Sequence, residues 1–246
     1  MKCFIFITVR TASTRLPKKT LRKINKKTII ENLIERLSKN KSIQEIVVCT
    51  TNEKSDDRLV KLLEKKKIKT YRGSTLDIIS RLYHAATKFN LSHFIVVEAD
   101  DFFCDMNLIE KTCKILQTSK FEFIYWKDLP LGVTPLGIKT EAISKLIKKK
   151  STESVETGWG EFIIKSKIVK IGALKTENKK LERPELRLTI DYQEDLKLAR
   201  KLIKYLPNNF LLMDIIKILD GNEDFKNINE NAKRKYLRNF TSETKK

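Results

Sequence analysis

The first half of the chain alternates short apolar runs with amphipathic segments, and this alternation constrains the fold more than any other feature. Runs rich in β-branched and aromatic residues predict strands, whereas apolar residues spaced three or four positions apart predict helices. The predicted strands are 3–9, 45–50, 68–71, 94–97 and 121–126, and the predicted helices are 28–37, 55–66, 76–89 and 106–116. Strands that alternate with helices indicate a parallel sheet covered on both faces. We therefore predict an α/β fold, a three-layer αβα sandwich with a mainly parallel central sheet.

The second half of the chain is less regular. Its pattern predicts helices at 139–149, 192–205 and 210–219, strands at 168–171 and 186–190, and a turn at 157–160. We predict one domain over residues 1–220. Residues 221–246 are polar and are predicted to form a C-terminal tail that frays.

The net charge of +20, from 51 Lys and Arg against 31 Asp and Glu, allows two interpretations. A strongly basic chain suits a nucleic-acid-binding protein, but it also arises from lysines on solvated helix faces. Aromatic residues do not interleave with basic runs such as 65–67 and 148–150, as a base-stacking groove would require. We favour solvated faces, with a positive field that attracts an anionic substrate in either case.

Cysteine usage and hydropathy indicate the compartment. None of the four cysteines at positions 3, 49, 104 and 113 forms a CxxC pair, and three lie in or beside apolar segments. We expect reduced thiols in a cytoplasmic protein, without a disulfide framework or a zinc site. No run of 18 apolar residues is present, so no membrane span is predicted.

A basic loop follows the first predicted strand. Residues 10–19 hold four cations and three hydroxyl groups and precede a predicted helix; the cations are Arg10, Arg15, Lys18 and Lys19. Arginine offers a planar fork to phosphate oxygens and lysine a point charge, so this loop predicts a triphosphate site. The GxxxxGK[ST] spacing of a Walker A loop is absent. The alternative is a basic surface loop without a ligand.

Two distant aspartates end predicted strands. Asp100 follows the strand at 94–97, with Asp101 and Asp105 as neighbours that spacing alone does not exclude, and Asp191 follows the strand at 186–190. Ligands of open α/β sheets bind beyond the carboxyl ends of the strands, and Mg²⁺ prefers oxygen ligands. The two aspartates therefore form a candidate Mg²⁺ site. Asp191 alternatively caps the next helix, with Glu194 at the capping-box position.

The segment 71–77 is a candidate nucleotide contact. Gly73 permits a close approach of the backbone to a ligand, and Arg72, Ser74 and Asp77 surround it. The alternative is that Ser74 or Thr75 only caps the following helix.

These four segments, in this order, resemble the cytidylyltransferases of the CMP-Kdo and CMP-acylneuraminate synthetase group. The closest branch is that of the spore coat polysaccharide biosynthesis protein F type. Its patterns R-x-G-S-T-R-L-P-G-K, F-R-G-S-x-x-D-V-L-x-R-Y-Y-x-A-A, T-G-D-C-P-L-I-D and R-L-T-V-D-x-x-E-D-L are similar to residues 10–19, 71–86, 98–105 and 187–196. The similarity covers the first 110 residues and residues 187–206 well, and the part between them thinly.

The resemblance implies a nucleotide-diphospho-sugar transferase fold of the glycosyltransferase A type, which is Rossmann-like. It also implies CTP as substrate, Mg²⁺ as cofactor and release of pyrophosphate. By position, it assigns the metal to Asp100 and Asp191 and catalysis to Arg10, Arg15, Lys19 and Asp100. It assigns nucleotide binding to Arg10, Ser13, Arg15, Lys19, Arg72, Ser74 and Asp77.

The predicted function is transfer of CMP from CTP to a sugar acid or related acceptor in surface glycan biosynthesis. The expected partners are a nucleotide and a sugar-type molecule, without nucleic acid or membrane; a homodimer is left open. Two alternatives remain: an enzyme that uses another nucleotide with a sugar phosphate, and a degenerate homologue that binds nucleotides or nucleic acid.

Four of the departures from the family pattern bear on the expected site. Lys18 replaces a Gly, Ala99 a Gly, Phe102 a Pro, and Ser154 the His of an expected Glu-His-Val. Lys18 predicts a phosphate loop of different shape. The other changes predict an altered acceptor or reduced activity.

Overall fold

The computed structural model describes residues 3–149 and 158–243, with side chains described as far as residue 238. Within these residues the fold is built on a seven-stranded sheet of order β5-β4-β1-β6-β8-β7-β9. The strands are β1 (Cys3–Thr8), β4 (Ile43–Thr51), β5 (Lys69–Gly73), β6 (His93–Glu98), β7 (Phe123–Trp126), β8 (Leu136–Lys139) and β9 (Ile171–Leu174), with a small hairpin of β2 (Lys23–Ile24) and β3 (Lys27–Thr28). The longer helices are α1 (Ile29–Ser38), α2 (Asp57–Lys65), α3 (Ile78–Lys88), α4 (Met106–Thr118), α5 (Thr140–Lys149), α6 (Trp159–Ser166), α7 (Gln193–Leu202), α8 (Leu212–Asp220) and α10 (Glu230–Glu243), and α9 (Glu223–Lys226) is a single turn.

The parallel half of the sheet consists of β5, β4, β1 and β6. The chain runs from β1 outward to β4 and β5 and then returns to β6 on the other side of β1. The strand order therefore reverses between β1 and β6. In open α/β sheets this reversal opens a crevice beyond the carboxyl ends of the strands. The loops that follow β1 and β6 meet there.

Helices cover both faces of the sheet. Successive side chains of a strand point to opposite faces, so Ile5 and Ile7 of β1 pack under α1, α2 and α4, whereas Phe6 packs against α3, α5 and α6. Thr28 and Glu31 form a capping box that begins α1. A third apolar cluster joins α7 and α8 to the loop after β6. The predicted three-layer αβα fold is confirmed.

The other half of the sheet is mixed, and the sequence pattern did not predict this. β8 lies between β6 and β7 and is antiparallel to both, while β9 is parallel to β7. β8 holds only two apolar residues, Leu136 and Ile138, beside a glycine and a lysine, so its sequence carries no clear strand pattern. β9 begins three residues later than the predicted strand, at Ile171.

The predicted strand at 186–190 is wrong, although its apolar residues are buried. The segment forms an isolated bridge between Arg187 and Leu131 and then bonds to the loop after β6, rather than pairing with one strand. Leu188 N–H donates to the Leu131 carbonyl at 2.7 Å, and Ile190 N–H donates to the Asp100 carbonyl at 2.9 Å. Gly132, with φ of 97°, lies so close that an added Cβ would sit 2.2 Å from the Thr189 nitrogen. All five residues of 186–190 are buried, and the alternation of apolar and polar residues in their sequence accompanies packing against loops.

Two local predictions around helix starts are corrected. Trp159 begins α6, so the predicted turn at 157–160 is helical from there, while Thr157 and the 153–155 segment lie outside the described residues. Leu76, which the helix predicted at 76–89 includes, is 65% exposed because α3 begins only at Ile78. Asp77, rather than Ser74 or Thr75, caps α3 by accepting from the Ile79 and Ser80 N–H groups.

The C-terminal segment, defined as residues 221–238, differs from the predicted fraying tail. It contains α9 and the first part of α10, and Phe225 and Ala232 are buried. These contacts were not predicted, because the apolar residues of this segment are widely spaced in a polar sequence. Across residues 3–149 and 158–243, no helix is long and apolar enough to cross a membrane.

The expectation of four reduced cysteines is wrong for one pair. Cys3 and Cys113 form a disulfide, while Cys49 and Cys104 are free and buried. Cys3 begins β1 and Cys113 lies on α4, and both belong to the same apolar cluster between the sheet and that helix. The pairing joins residues 110 positions apart, which spacing along the sequence does not reveal.

Hydrogen bonds to Asp56 connect the start of the basic loop with the end of β4. The fully buried carboxylate accepts hydrogen bonds from Thr11 N–H at 2.8 Å, Thr11 Oγ1 at 2.6 Å and Thr50 Oγ1 at 2.7 Å. It also accepts from the N–H and hydroxyl of Thr51. Burial alone would raise the pKa of Asp56, but the hydrogen bonds from Thr11, Thr51 and Thr50 hold it below its usual value.

Replacing Asp56 with Ala should lower the free energy of unfolding by about 3 kcal/mol, because several buried donors lose one charged acceptor. Urea unfolding followed by circular dichroism measures this loss. Glu64→Ala, on the exposed face of α2, is the control and should change stability by less than about 0.5 kcal/mol. Because the folded pKa of Asp56 is lowered, its stabilisation is present above the unfolded pKa of about 3.9 and is lost as the pH falls through the folded value. A difference between wild type and variant that stays constant down to pH 2 would contradict this.

Candidate active site

Three carboxylates crowd together at the carboxyl end of β6. One oxygen from each of Glu98, Asp100 and Asp101 lies within 4.8 Å of the others. Glu98 is the last residue of β6, and Asp101 N–H donates to its carbonyl in the tight turn that follows. The sequence singled out Asp100 and left Asp101 as an alternative. Glu98 was missed, although its position at a strand end was the available signal.

Asp191, which is distant in sequence, lies beside these carboxylates. The bond from Ile190 N–H to the Asp100 carbonyl holds the two segments together. Lys19 Nζ donates to Asp191 Oδ1 at 2.7 Å and also contacts Asp100 Oδ2. Two oxygens bonded to one nitrogen lie within roughly 6 Å of each other. Asp100 and Asp191 thus meet on the ammonium group of Lys19, and with Glu98 and Asp101 they are called the carboxylate cluster below.

Three cations surround Asp191. Besides Lys19, Arg15 Nη2 lies 3.1 Å from Oδ1 and Arg187 Nη2 lies 2.9 Å from Oδ2. Burial alone would raise the pKa of Asp191, but the charge of Lys19, followed by those of Arg15 and Arg187, lowers it to about 2. Asp191 is therefore anionic over the whole physiological range. In turn, Asp100 and Asp191 raise the pKa of Lys19, against the effect of its own burial.

The other carboxylates of the cluster repel one another. Burial, followed by the charge of Asp100, raises the pKa of Glu98 to about 7, although Trp159 Nε1 donates to Glu98 Oε1 at 2.9 Å. Burial and the charges of Asp100 and Glu98 raise the pKa of Asp101 well above its usual range. A divalent cation would relieve this repulsion. Because all the donors are carboxylate oxygens, the cluster fits a hard ion such as Mg²⁺.

The basic loop presents Arg15 and Lys19 to this cluster. Thr11 is anchored on Asp56, and the Ser13 hydroxyl accepts from Leu16 N–H at 3.4 Å inside the loop. Arg10 is half-buried where the loop leaves β1. Lys18 has a φ of 53°, the left-handed conformation that Gly adopts without strain. At this position, where the family pattern has Gly, the loop therefore takes a backbone conformation that suits Gly.

The structure does not bring the 72–77 residues into contact with the carboxylate cluster. Arg72 Nη1 donates to Asp57 Oδ1 at 2.7 Å, and its Nη2 donates to the Glu53 carbonyl at 2.8 Å. Ser74 Oγ accepts from Asp77 N–H at 3.1 Å, and Asp77 caps α3. These contacts stabilise the loop between β5 and α3. The nucleotide-binding roles of the three residues stay predictions.

An open cleft of about 600 Å³ runs along the basic loop. This volume is within the usual range of small-molecule sites, roughly 300–1,000 Å³. The lining has three cations and four hydroxyl-bearing residues; it consists of Thr11, Ala12, Ser13, Thr14, Pro17, Lys18, Leu21, Lys54, Ser55 and Arg58. The loop thus carries positive charge both toward the carboxylates and along the cleft.

The alternative role of Asp191 as a helix cap is wrong. Asp195, not Glu194, sits at the capping-box position of α7, and its carboxylate accepts from Asp191 N–H at 3.0 Å and Tyr192 N–H at 2.9 Å. The side chain of Asp191 is therefore available for cations. Sequence alone did not single out Asp195, because two neighbouring acidic residues were equally compatible with a cap.

Comparison with known proteins shows the family of the chain. A family model described as cytidylyltransferase matches residues 4–237. An uncharacterised protein from Methanocaldococcus jannaschii is 31% identical over 240 residues, which is 97% of this chain and 98% of the relative. The spore coat polysaccharide biosynthesis protein SpsF of Bacillus subtilis is 22% identical over 202 residues, which is 80% of this chain and 84% of that protein.

Solved structures share the fold. A cytidylyltransferase from Leptospira borgpetersenii superposes with a TM-score of 0.81 at 23% identity, covering 92% of this chain and 97% of that chain. A CMP:2-keto-3-deoxy-manno-octonic acid synthetase, solved with CTP, superposes with a TM-score of 0.63 at 14% identity and covers 83% of this chain and 99% of its own. The fold is that of the nucleotide-diphospho-sugar transferases. With a family model that matches nearly its whole length, this chain belongs to the cytidylyltransferase family.

Proposed function

We propose that this protein transfers CMP from CTP to a sugar acid or related acceptor, with Mg²⁺ and release of pyrophosphate, in surface glycan biosynthesis. The observation that carries the proposal is the meeting of Asp100 and Asp191 on one ammonium group beside the basic loop. Family membership supports nucleotidyl transfer. The names of SpsF and of the CTP-bound synthetase support the sugar-acid acceptor and the nucleotide.

The proposed reaction requires little covalent chemistry from the protein. An acceptor oxygen attacks the α-phosphorus of CTP, the bond from that phosphorus to the bridging oxygen breaks, and pyrophosphate leaves with that oxygen. Such transfers are accelerated mainly by positioning and by neutralising charge. Mg²⁺ held by Asp100 and Asp191 would supply Lewis-acid polarisation of phosphate oxygens.

The cations of the basic loop stabilise the leaving group. Arg15 and Lys19 lie beside the carboxylates, and Arg10 stands where the loop begins. A Lys ammonium has three donors, so Lys19 can keep one carboxylate contact while it bonds to a phosphate oxygen. Arg15 is 38% exposed at its side chain and is free to turn its fork toward phosphate. The net charge of +20 gives a field that favours the approach of a polyanionic nucleotide.

Replacing Asp100 or Asp191 with Asn should lower pyrophosphate release from CTP at least about 100-fold, since a metal ligand is lost. The assay measures pyrophosphate from each of the four nucleoside triphosphates, with 2-keto sugar acids and sugar phosphates as acceptors. Asp128→Asn is the control, because Asp128 is exposed after β7 and pairs with Lys175. We expect CTP to be the preferred nucleotide. Full turnover by Asp100→Asn would refute the metal assignment, and preference for another nucleotide would refute CTP.

Lys19→Met should destabilise the metal-free protein by about 3 kcal/mol, because two half-buried to buried carboxylates lose their shared cation. Added Mg²⁺ should raise the melting temperature of this variant more than that of wild type, since the ion replaces the missing charge. Thermal unfolding with and without Mg²⁺ measures both effects. Lys18→Met, at the exposed neighbouring position, is the control. Equal Mg²⁺ shifts for Lys19→Met and wild type would contradict the idea that these carboxylates accept the ion.

A further inference from the structure

Arg187 bonds to an oxygen of Asp191 that the basic loop does not contact. Arg187 Nη2 donates to Asp191 Oδ2 at 2.9 Å, whereas Lys19 and Arg15 both contact Oδ1. Arg187 is 4% exposed and Asp191 is 5% exposed, so water does not compete for this bond. A carboxylate held through one oxygen keeps a fixed orientation. Arg187 therefore decides which oxygen of Asp191 faces the carboxylate cluster.

Asp195 holds Arg187 in turn. Arg187 Nε donates to Asp195 Oδ1 at 3.0 Å and Nη2 donates to Oδ2 at 3.1 Å. This two-point contact fixes the plane of the guanidinium group. The same Asp195 carboxylate accepts the N–H groups of Asp191 and Tyr192, so it fixes the backbone of Asp191 as well as the cation on its side chain.

Asn229 of the C-terminal segment completes this network. Its side-chain amide donates to Asp195 Oδ1 at 2.9 Å and to the Arg187 carbonyl at 3.0 Å, and Asn229 is 5% exposed. It lies in a short turn, Asn227–Asn229, between α9 and α10. The ring of Tyr236, on α10, lies 4.7 Å from the Arg187 guanidinium carbon. The C-terminal segment thus contacts both Arg187 and Asp195.

We propose that Arg187, Asp195 and Asn229 form a positioning network for Asp191, and that the C-terminal segment is therefore needed for metal binding. This inference rests on the proposed function, in which Asp191 is a metal ligand. Groups that orient a ligand typically change metal affinity 10- to 100-fold when they are lost. Without the Asn229 amide, Asp195 loses a donor and Arg187 loses the anchor on its carbonyl. The oxygen of Asp191 that faces the cluster is then no longer fixed.

The test uses Mn²⁺ alone as the probe, with the full-length protein and no nucleotide. Binding of Mn²⁺, measured by electron paramagnetic resonance of the free ion, should be about tenfold weaker for Asn229→Ala than for wild type. The matched control is Asn227→Ala, two residues away in the same turn and exposed, which should bind Mn²⁺ as wild type does. Circular dichroism at the assay temperature confirms that each variant is folded. If Asn229→Ala does not fold, Arg187→Lys carries the same test, because it keeps the charge but loses the two-point contact.

A second readout separates positioning from stability. Saturating Mn²⁺ should restore the kcat of Asn229→Ala for pyrophosphate release, because the ligand itself is intact, but should not restore that of Asp191→Asn. Wild-type Mn²⁺ affinity in Asn229→Ala, with or without a lower melting temperature, would overturn the inference while leaving the proposed function in place, provided Asp191→Asn loses binding. Wild-type Mn²⁺ affinity in Asp191→Asn would instead overturn the metal assignment on which both proposals rest.

Discussion

The contact of Lys19 with Asp100 and Asp191 is the interaction on which the site depends. It joins residues 81 and 172 positions apart in sequence. Charges removed from water are costly unless they are paired, so these groups stabilise the fold only while all three are in place. The same requirement makes the site sensitive to any ligand that brings its own charge. A nucleotide with a divalent cation supplies both signs at once and can exchange partners with Lys19 without leaving a buried charge alone.

The sheet brings these residues together because of its strand order. The basic loop leaves β1 and the Asp100 turn leaves β6, and these two strands are neighbours where the order reverses. Asp56 then fixes the loop from the β4 side, and the bond from Ile190 to Asp100 fixes the arriving segment from the other. Each anchor is a buried hydrogen bond to a backbone group. The loops around the site are thereby held by the core rather than by the ligand.

The sequence was informative where a pattern is local. The alternation of strands and helices predicted the layers, and strand ends placed Asp100 next to the basic loop. It failed where partners are distant or weakly patterned: β8 holds only two apolar residues, the Cys3–Cys113 pair lies 110 residues apart, and Phe225 lies in a polar segment. Asp191 was predicted from its place at the end of a strand, although the segment before it is not a strand. An alternation of apolar and polar residues in the sequence does not distinguish a strand from an irregular segment that packs against loops.

Asp191 does not follow a strand of the sheet, and this explains physically why a network of side chains holds it. Residues at the ends of β1 and β6 are held by strand hydrogen bonds, whereas the segment before Asp191 is bonded to two loops through Leu186, Leu188 and Ile190. A ligand must be held within about 0.5 Å of its productive position to be effective. Arg187, Asp195 and Asn229 supply by side-chain hydrogen bonds the constraint that a ladder supplies elsewhere. The site is built from two strand ends and one irregular segment, and the irregular segment is the part that needs side-chain hydrogen bonds to hold it. The C-terminal segment packs against this part.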